Sequence, residues 1–398
     1  MLDLGGFVLN NFVFSAPTQI IFGKDTESNI GITTHEYLGD RVLLHYGQSS
    51  VVKSGLKDRI KNYLVQAGVS VVELGGVVPN PRLNLVQEGI KLCRDCGIQG
   101  VLALGGGSVI DSAKAIAMGV QHSGDVWDFF SGKAFPKSAL SLGVVLTLPG
   151  SGSEAGGGVV ITDSENQLKR LAWSEHVIPR FAIMNPELTF SLPQYQTACG
   201  GVDILSHVLE RYFTNVTHVD LTDRLCEATM NSVIHNLPIA LEQPHNYAAR
   251  AELMWAGSLA HNGLLDTGRV GDWACHAIEH ELSGLYDVAH GAGLAVLLPA
   301  WMTYVLEHDL RRFVQFAERV WQVPADKGNP KGVALEGISR MVAFFRRLGL
   351  PGSLTELGIK DSSFSEVARR CTHNGQTTVG NFVQLDSKDI VSILEIAK

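Results

Sequence analysis

The chain has 398 residues, 45% hydrophobic and 18% charged, with 40 acidic against 32 basic residues and a net charge of −8. That length exceeds what a single core usually spans, so two domains are expected, and the acidic balance argues against the basic surface that a nucleic-acid partner requires. Its longest apolar runs are broken by Gly, Pro or charge, so no membrane span is expected, and the opening MLDLGGFVLNNFVF lacks the basic start and cleavage site of a secretory signal.

Residues 1–9 read as an extension whose role the sequence leaves open. Arg41–His45 (RVLLH) predicts a buried strand and Val51–Gln66 a helix. Val69–Leu74 and Leu83–Cys96 predict the next strand and helix, Gly100–Leu104 and residues 109–120 a third pair, and Leu142–Leu148 a further strand before the loop PGSGSEAGGG. Continuously apolar strands alternating with helices specify a parallel sheet covered by helices. After the Pro-bearing segment 186–193 the pattern turns to long helical periods with few strand-like runs. The expected division is an α/β, Rossmann-like domain over 1–190 and an all-α domain over 191–398. Six cysteines in a chain this long do not make a disulfide framework, and Cys93-Arg-Asp-Cys96 lies in a helical stretch without a second pair, so the compartment expected is a reducing cytoplasm.

Two turns in the first half have the makings of a nucleotide site. Gly105-Gly106-Gly107-Ser108 follows a buried strand and opens a helix, where glycines allow close approach of a phosphate and the helix start offers unpaired N–H groups. It is neither a P-loop nor the G-x-G-x-x-G fingerprint. By itself GGGS serves equally as a tight turn; its place after a buried strand favours the phosphate reading. The second turn, Gly47-Gln48-Ser49-Ser50 with Lys53 beyond it, follows the first expected strand and carries no carboxylate. In dinucleotide folds a carboxylate there would bind the ribose hydroxyls of NAD, and its absence suits NADP(H) over NAD(H).

In the second half, Asp203 and His207 stand four apart in GGVDILSHVLE, on one face of an expected helix. His276 opens another helical run and His290 sits in a glycine-bracketed turn. Each alone fits a bland role, an ordinary polar contact or a turn residue. Together, one carboxylate and three imidazoles suit a divalent transition ion such as iron, zinc, nickel or manganese.

GGGSVID at 105–111, LTLPGSGSEA at 146–155, NPELT at 185–189, GGVDILSHVLE at 200–210, HAIEHEL at 276–282 and HGAGLAVLLP at 290–299 together resemble the iron-containing (group III) alcohol dehydrogenases. The likeness is nearest to their NADPH-dependent butanol dehydrogenase and broad-range aldehyde reductase branch. The resemblance implies a dehydroquinate synthase-like fold, an α/β domain plus a helical bundle with a cleft between them, commonly dimeric. It implies Asp203, His207, His276 and His290 as metal ligands, with Fe2+ the expected ion and Zn2+ the alternative. Gly105, Gly106, Gly107 and Ser108 match the pyrophosphate turn, Asp111 a polar residue near the nicotinamide, and Thr147 and Ser151 cofactor-contacting hydroxyls. His280 matches a histidine near the reaction centre that does not bind the metal. The implied reaction moves a hydride between NADP(H) and a primary alcohol/aldehyde pair, the metal polarising the substrate oxygen. The family loop reads close to TGSE and then a polar residue. Here the small residues from Ser151 to Gly158 are expected to widen the site.

Two other readings use the same residues. His276-Ala-Ile-Glu279-His280 spells H-x-x-E-H, an inverted zincin signature with Glu279 as general base, but that leaves the nucleotide half unexplained. A zinc glycerol dehydrogenase or dehydroquinate synthase would share the fold, and would lack the Asp-plus-three-His set in this spacing.

Overall fold

The computed structural model describes residues 9–398, so the reading of residues 1–8 lies outside the described residues. The strands are β1 (Gln19–Phe22), β2 (Arg41–Gly47), β3 (Ser70–Val77), β4 (Gly100–Gly106), β5 (Ser141–Leu148), β6 (Gly158–Asp163), β7 (Leu168–Trp173) and β8 (Phe181–Met184). Six of them pair in parallel in the order β1-β8-β5-β4-β2-β3, and β6 and β7 form a separate antiparallel pair. Side chains along a strand alternate faces, and here both faces are dry. Leu43, Val101, Ala103 and Val144 enter one core, while Val42, Leu44, Leu102, Leu104 and Val145 enter the other. The helices of this part are α1 (Ile30–Leu38), α2 (Ser50–Lys53), α3 (Leu56–Gln66), α4 (Leu83–Cys96), α5 (Gly107–Val120) and α6 (Trp127–Phe130).

Strand β2 has β3 on one side and β4 on the other, so the winding of the sheet reverses between β2 and β4. The crevice beyond the carboxyl ends of strands at such a reversal is where open α/β sheets bind ligands. Both sequence-predicted turns lie there, one at the end of each strand. The helix expected over Val51–Gln66 is instead two, α2 and α3, because Gly55 between them takes φ +71°, a left-handed conformation that ends a helix. The short strands β1 and β8 and the β6–β7 hairpin were not legible; the first two have four residues each, too few for a period to register.

The chain forms two compact units. One comprises Ser15–Leu192 and Pro244–Asn262; the other comprises 9–14, Pro193–Gln243 and Gly263–Lys398. The second holds α7 (Gln194–Tyr212) and α8 (Asp220–Glu242). Helix α9 (Tyr247–His261) falls in the first unit although it lies within the helical half of the sequence. The second unit continues with α10 (Ala274–Tyr286), α11 (His290–Val305), α12 (Leu310–Arg319), α13 (Pro330–Arg347), α14 (Phe364–Cys371) and α15 (Ser387–Ile396). Helix α7 is buried on all sides from Gly200 to Tyr212, so its polar residues there face protein rather than water. Among the described residues no helix is long and apolar enough to cross a membrane. All six cysteines are free.

Candidate active site

In the helical unit, α7 carries Asp203 and His207 one turn apart, α10 carries His276 near its start, and His290 is the first residue of α11 rather than part of an open turn. Asp203, His207 and His276 are buried and His290 is half-buried. Asp203 Oδ1 lies 3.7 Å from His207 Nε2, 4.0 Å from His276 Nε2 and 3.6 Å from His290 Nε2. The rings of His207 and His276 stack at 4.7 Å, and His290 lies 5.2 Å from His276, centroid to centroid. The structure thus brings all four residues together.

Two carboxylates hold these rings from behind: Glu210, which has no role in the sequence reading, and Glu279, which enters there only as the general base of the zincin alternative. Glu210 contacts His276 Nδ1, and Glu279 contacts His290 Nδ1 and accepts a hydrogen bond from the Ser283 hydroxyl. Both are fully buried. A carboxylate on Nδ1 fixes the proton there and leaves the Nε2 lone pair directed inward. His276 Nε2 is buried with no hydrogen-bond partner among the described residues. Three inward imidazole nitrogens around one carboxylate oxygen fit a divalent transition ion. Burial weighs against a charged His276, but the Glu210 charge and hydrogen bond, with Asp203 and Glu279, raise its pKa above the ordinary value. A positive charge is therefore welcome at this point. Glu279 is committed to His290 and Ser283, which removes it as the general base of a zincin. His280, half-buried, stands one turn beyond His276, its ring 5.6 Å from that of His290. Glu210 had a faint signal in the sequence: it stands three residues after His207, on the same helix face.

In the α/β unit, Gly105 and Gly106 end β4 and Gly107 and Ser108 begin α5, so strand passes to helix with no loop between. A β-carbon on Gly106 would meet Leu148 Cβ at 2.9 Å, and one on Gly107 would collide with Ser151. These glycines are required by close approach. Gly47 lies beside the same helix start, a β-carbon there falling 3.9 Å from Val109 Cγ2. Gln48 and Ser50 beyond it are exposed, and Thr147 is half-buried near the end of β5. Buried His45 joins β2 to α5, with Nε2 2.8 Å from Ser112 Oγ. Asp111 does not point at open space: its carboxylate accepts from the Ser153 hydroxyl at 2.6 Å and the Val160 N–H at 3.0 Å. Glu73 on β3, the carboxylate closest in sequence to these turns on the neighbouring strand, is held by Lys57 at 2.9 Å, Lys61 at 2.6 Å and the Tyr46 hydroxyl at 3.2 Å. The small residues after Ser151 do not widen anything. β-Carbons on Gly152 and Gly156 would run into His261 of α9, and one on Gly157 into the Ser174 carbonyl. The space over Gly152 and Gly156 is filled by a residue more than a hundred positions away.

Two family models cover nearly the whole chain: iron-containing alcohol dehydrogenase over residues 17–186, and the C-terminal model of the Fe-containing alcohol dehydrogenase family over residues 197–398. The chain belongs to the iron-containing alcohol dehydrogenases. This dehydrogenase is 42% identical over 391 residues to the probable NADH-dependent butanol dehydrogenase 2 of Bacillus subtilis, covering 97% of this chain and 99% of the relative. It is 36% identical over 375 residues to the NADPH-dependent aldehyde reductase YqhD of Escherichia coli, covering 94% and 95%. The crystal structure of NADH-dependent butanol dehydrogenase A from Thermotoga maritima superposes with a TM-score of 0.94 at 36% identity, over 98% of this chain and 99% of that one. The dehydrogenase is accordingly an oxidoreductase of the alcohol dehydrogenase and aldehyde reductase family, an enzyme of small-molecule alcohols or aldehydes.

Proposed function

We propose that this enzyme reduces aldehydes to primary alcohols, and catalyses the reverse, with NADP(H) preferred over NAD(H). Asp203, His207, His276 and His290 would hold the metal, iron first and zinc as the alternative. The observation that carries the proposal is the convergence of three imidazole Nε2 atoms on Asp203 Oδ1, two of them backed by the buried carboxylates Glu210 and Glu279.

When bound, the ion supplies Lewis-acid polarisation of the substrate oxygen and the nicotinamide supplies or accepts the hydride. The protein's own groups do the rest. Glu210 and Glu279 keep protons on Nδ1 of His276 and His290 and so keep Nε2 available. The Gly105–Ser108 turn takes the pyrophosphate at the start of α5, and Thr147 and Ser151 offer hydroxyls beside it. His280 carries the proton between the substrate hydroxyl and solvent through its imidazole.

The preference for NADP(H) rests on the turn at Gly47, Gln48 and Ser50, whose Gln48 and Ser50 are exposed and which has no carboxylate, and on Glu73, whose charge is met by Lys57 and Lys61. Those lysines pull its pKa down to about 2, so it stays ionised but spent. Relatives named for NADH stand at 38–42% identity and one named for NADPH at 36%, so the proposed preference rests on the chain's own turn and not on those names. We further propose a homodimer, as the resemblance implies, in a reducing cytoplasm, as the six free cysteines suit.

The deciding experiment follows the near-ultraviolet absorbance of reduced nicotinamide with butanal, for NADPH and NADH, with metal content measured on the same sample. Turnover that depends on the metal supports the reading; turnover indifferent to chelation overturns it.

A further inference from the structure

Lys114 is a fully buried lysine that neither the metal centre nor the glycine turn explains. It lies on α5, seven residues beyond Gly107, with 0% of its surface exposed. All three ammonium donors are used: on Ser153 Oγ at 2.9 Å, the Gly156 carbonyl at 2.6 Å and the Gly158 carbonyl at 3.0 Å. One turn earlier, Asp111 accepts from the Ser153 hydroxyl and the Val160 N–H. The two side chains share a helix face and grip one segment, residues 153–160. That segment begins just after Ser151, the residue whose hydroxyl covers Gly107. Glu154, itself buried, is tied to Ser258 of α9.

A buried ammonium is costly. Desolvation draws Lys114 down to about 8, with Asp111 and Glu154 opposing the fall. Apolar side chains could support a loop at lower cost but could not bind two chosen carbonyls and a hydroxyl. Three charge-assisted hydrogen bonds fix where the backbone passes, whereas apolar packing fixes only that it is covered.

We infer that Lys114 is a positioning residue for the dinucleotide, setting residues 151–158 against the start of α5 so that Ser151 stands beside the Gly107–Ser108 turn at which the pyrophosphate would bind. The inference rests on the reading of that turn as the pyrophosphate site. Lys114 does not touch the cofactor; it acts through the segment it holds.

The test compares wild type with Lys114→Met, full-length and metal-loaded, by fluorescence titration with NADPH and by steady-state kinetics with butanal. The expected result is a rise in Kd and in KM for NADPH of roughly tenfold or more. Turnover at saturating cofactor should stay within about threefold, with unchanged metal content, because binding and not chemistry is disturbed. Ser153→Ala removes one of the three contacts and should move Kd the same way by less, which keeps the test open if the methionine variant does not fold. Unchanged Kd in the variants that fold overturns the inference, as does a loss of kcat at constant KM, the signature of a smaller folded fraction. A wild type that bound neither NADPH nor NADH would instead sink the pyrophosphate reading, and this inference with it.

Discussion

Nδ1 of His276 on α10 is bound by the carboxylate of Glu210 on α7, a residue 66 positions earlier in the chain. The same carboxylate accepts the Cys275 N–H at 2.7 Å and the His276 N–H at 3.3 Å, so it also occupies the start of α10. One buried charge thus orients a candidate ligand and seats the helix that carries it. Glu210→Gln keeps the shape and removes the charge. Metal affinity should fall about 10- to 100-fold, with NADPH binding unchanged. Competition titration against a chelator measures it, and wild-type affinity would reduce Glu210 to a helix cap.

Asp203→Ala and His276→Ala should each abolish turnover while NADPH binding survives. Each removes a donor from the convergent set and leaves the turn at Gly105–Ser108 untouched. Activity near wild type in either variant would show that the metal site is drawn wrongly.

His280→Ala should slow turnover about a hundredfold and alter its pH profile, with metal content unchanged. Its ring lies 6.3 Å from that of His276, in a group with Glu279 and His290. If the variant lost its metal, His280 would be a ligand and not a relay.

Gln48→Asp should move the preference from NADPH toward NADH. A carboxylate at this exposed turn would accept hydrogen bonds from ribose hydroxyls and repel a 2′-phosphate. The comparison is kcat/KM for both reduced cofactors on both proteins. A wild type that favours NADH would mean that the ribose is read by other groups.

His45 gives the fold a defined acid sensitivity. Its Nδ1 and Nε2 lie 2.8 Å from the Leu74 carbonyl and Ser112 Oγ, and burial pushes its pKa from 6.5 down to about 4. The folded state therefore binds fewer protons than the unfolded state between those values. The neutral form's contribution is whole above pH 6.5 and is lost as pH falls toward 4, on the order of 3 kcal/mol at the limit. Denaturant unfolding from pH 7 to 4 should show that loss, and His45→Gln should flatten it. An equally steep fall in the variant would assign the acid sensitivity to other groups.

The sequence by itself determined the elements that one period of side chains can specify. The buried strands around Val42–Leu44, Val101–Leu104 and Val144–Leu146 read as apolar runs because both sheet faces are dry, and α4 spans Leu83–Cys96 as expected. The order of motifs was enough to place the family, and the spacing of Asp203 and His207 put both on one helix face. Only the tertiary structure decided what stands behind and between those residues. Glu210 and Glu279 behind the imidazoles, Lys114 under residues 153–158 and His261 filling the space over Gly152 and Gly156 are contacts between chain positions far apart or on different elements. Packing chooses such partners after the elements form, and a local period carries no record of them. The placing of α9 in the α/β unit follows the same rule: its sequence specifies a helix, and its burial against the Ser151–Gly158 segment decides which core it joins.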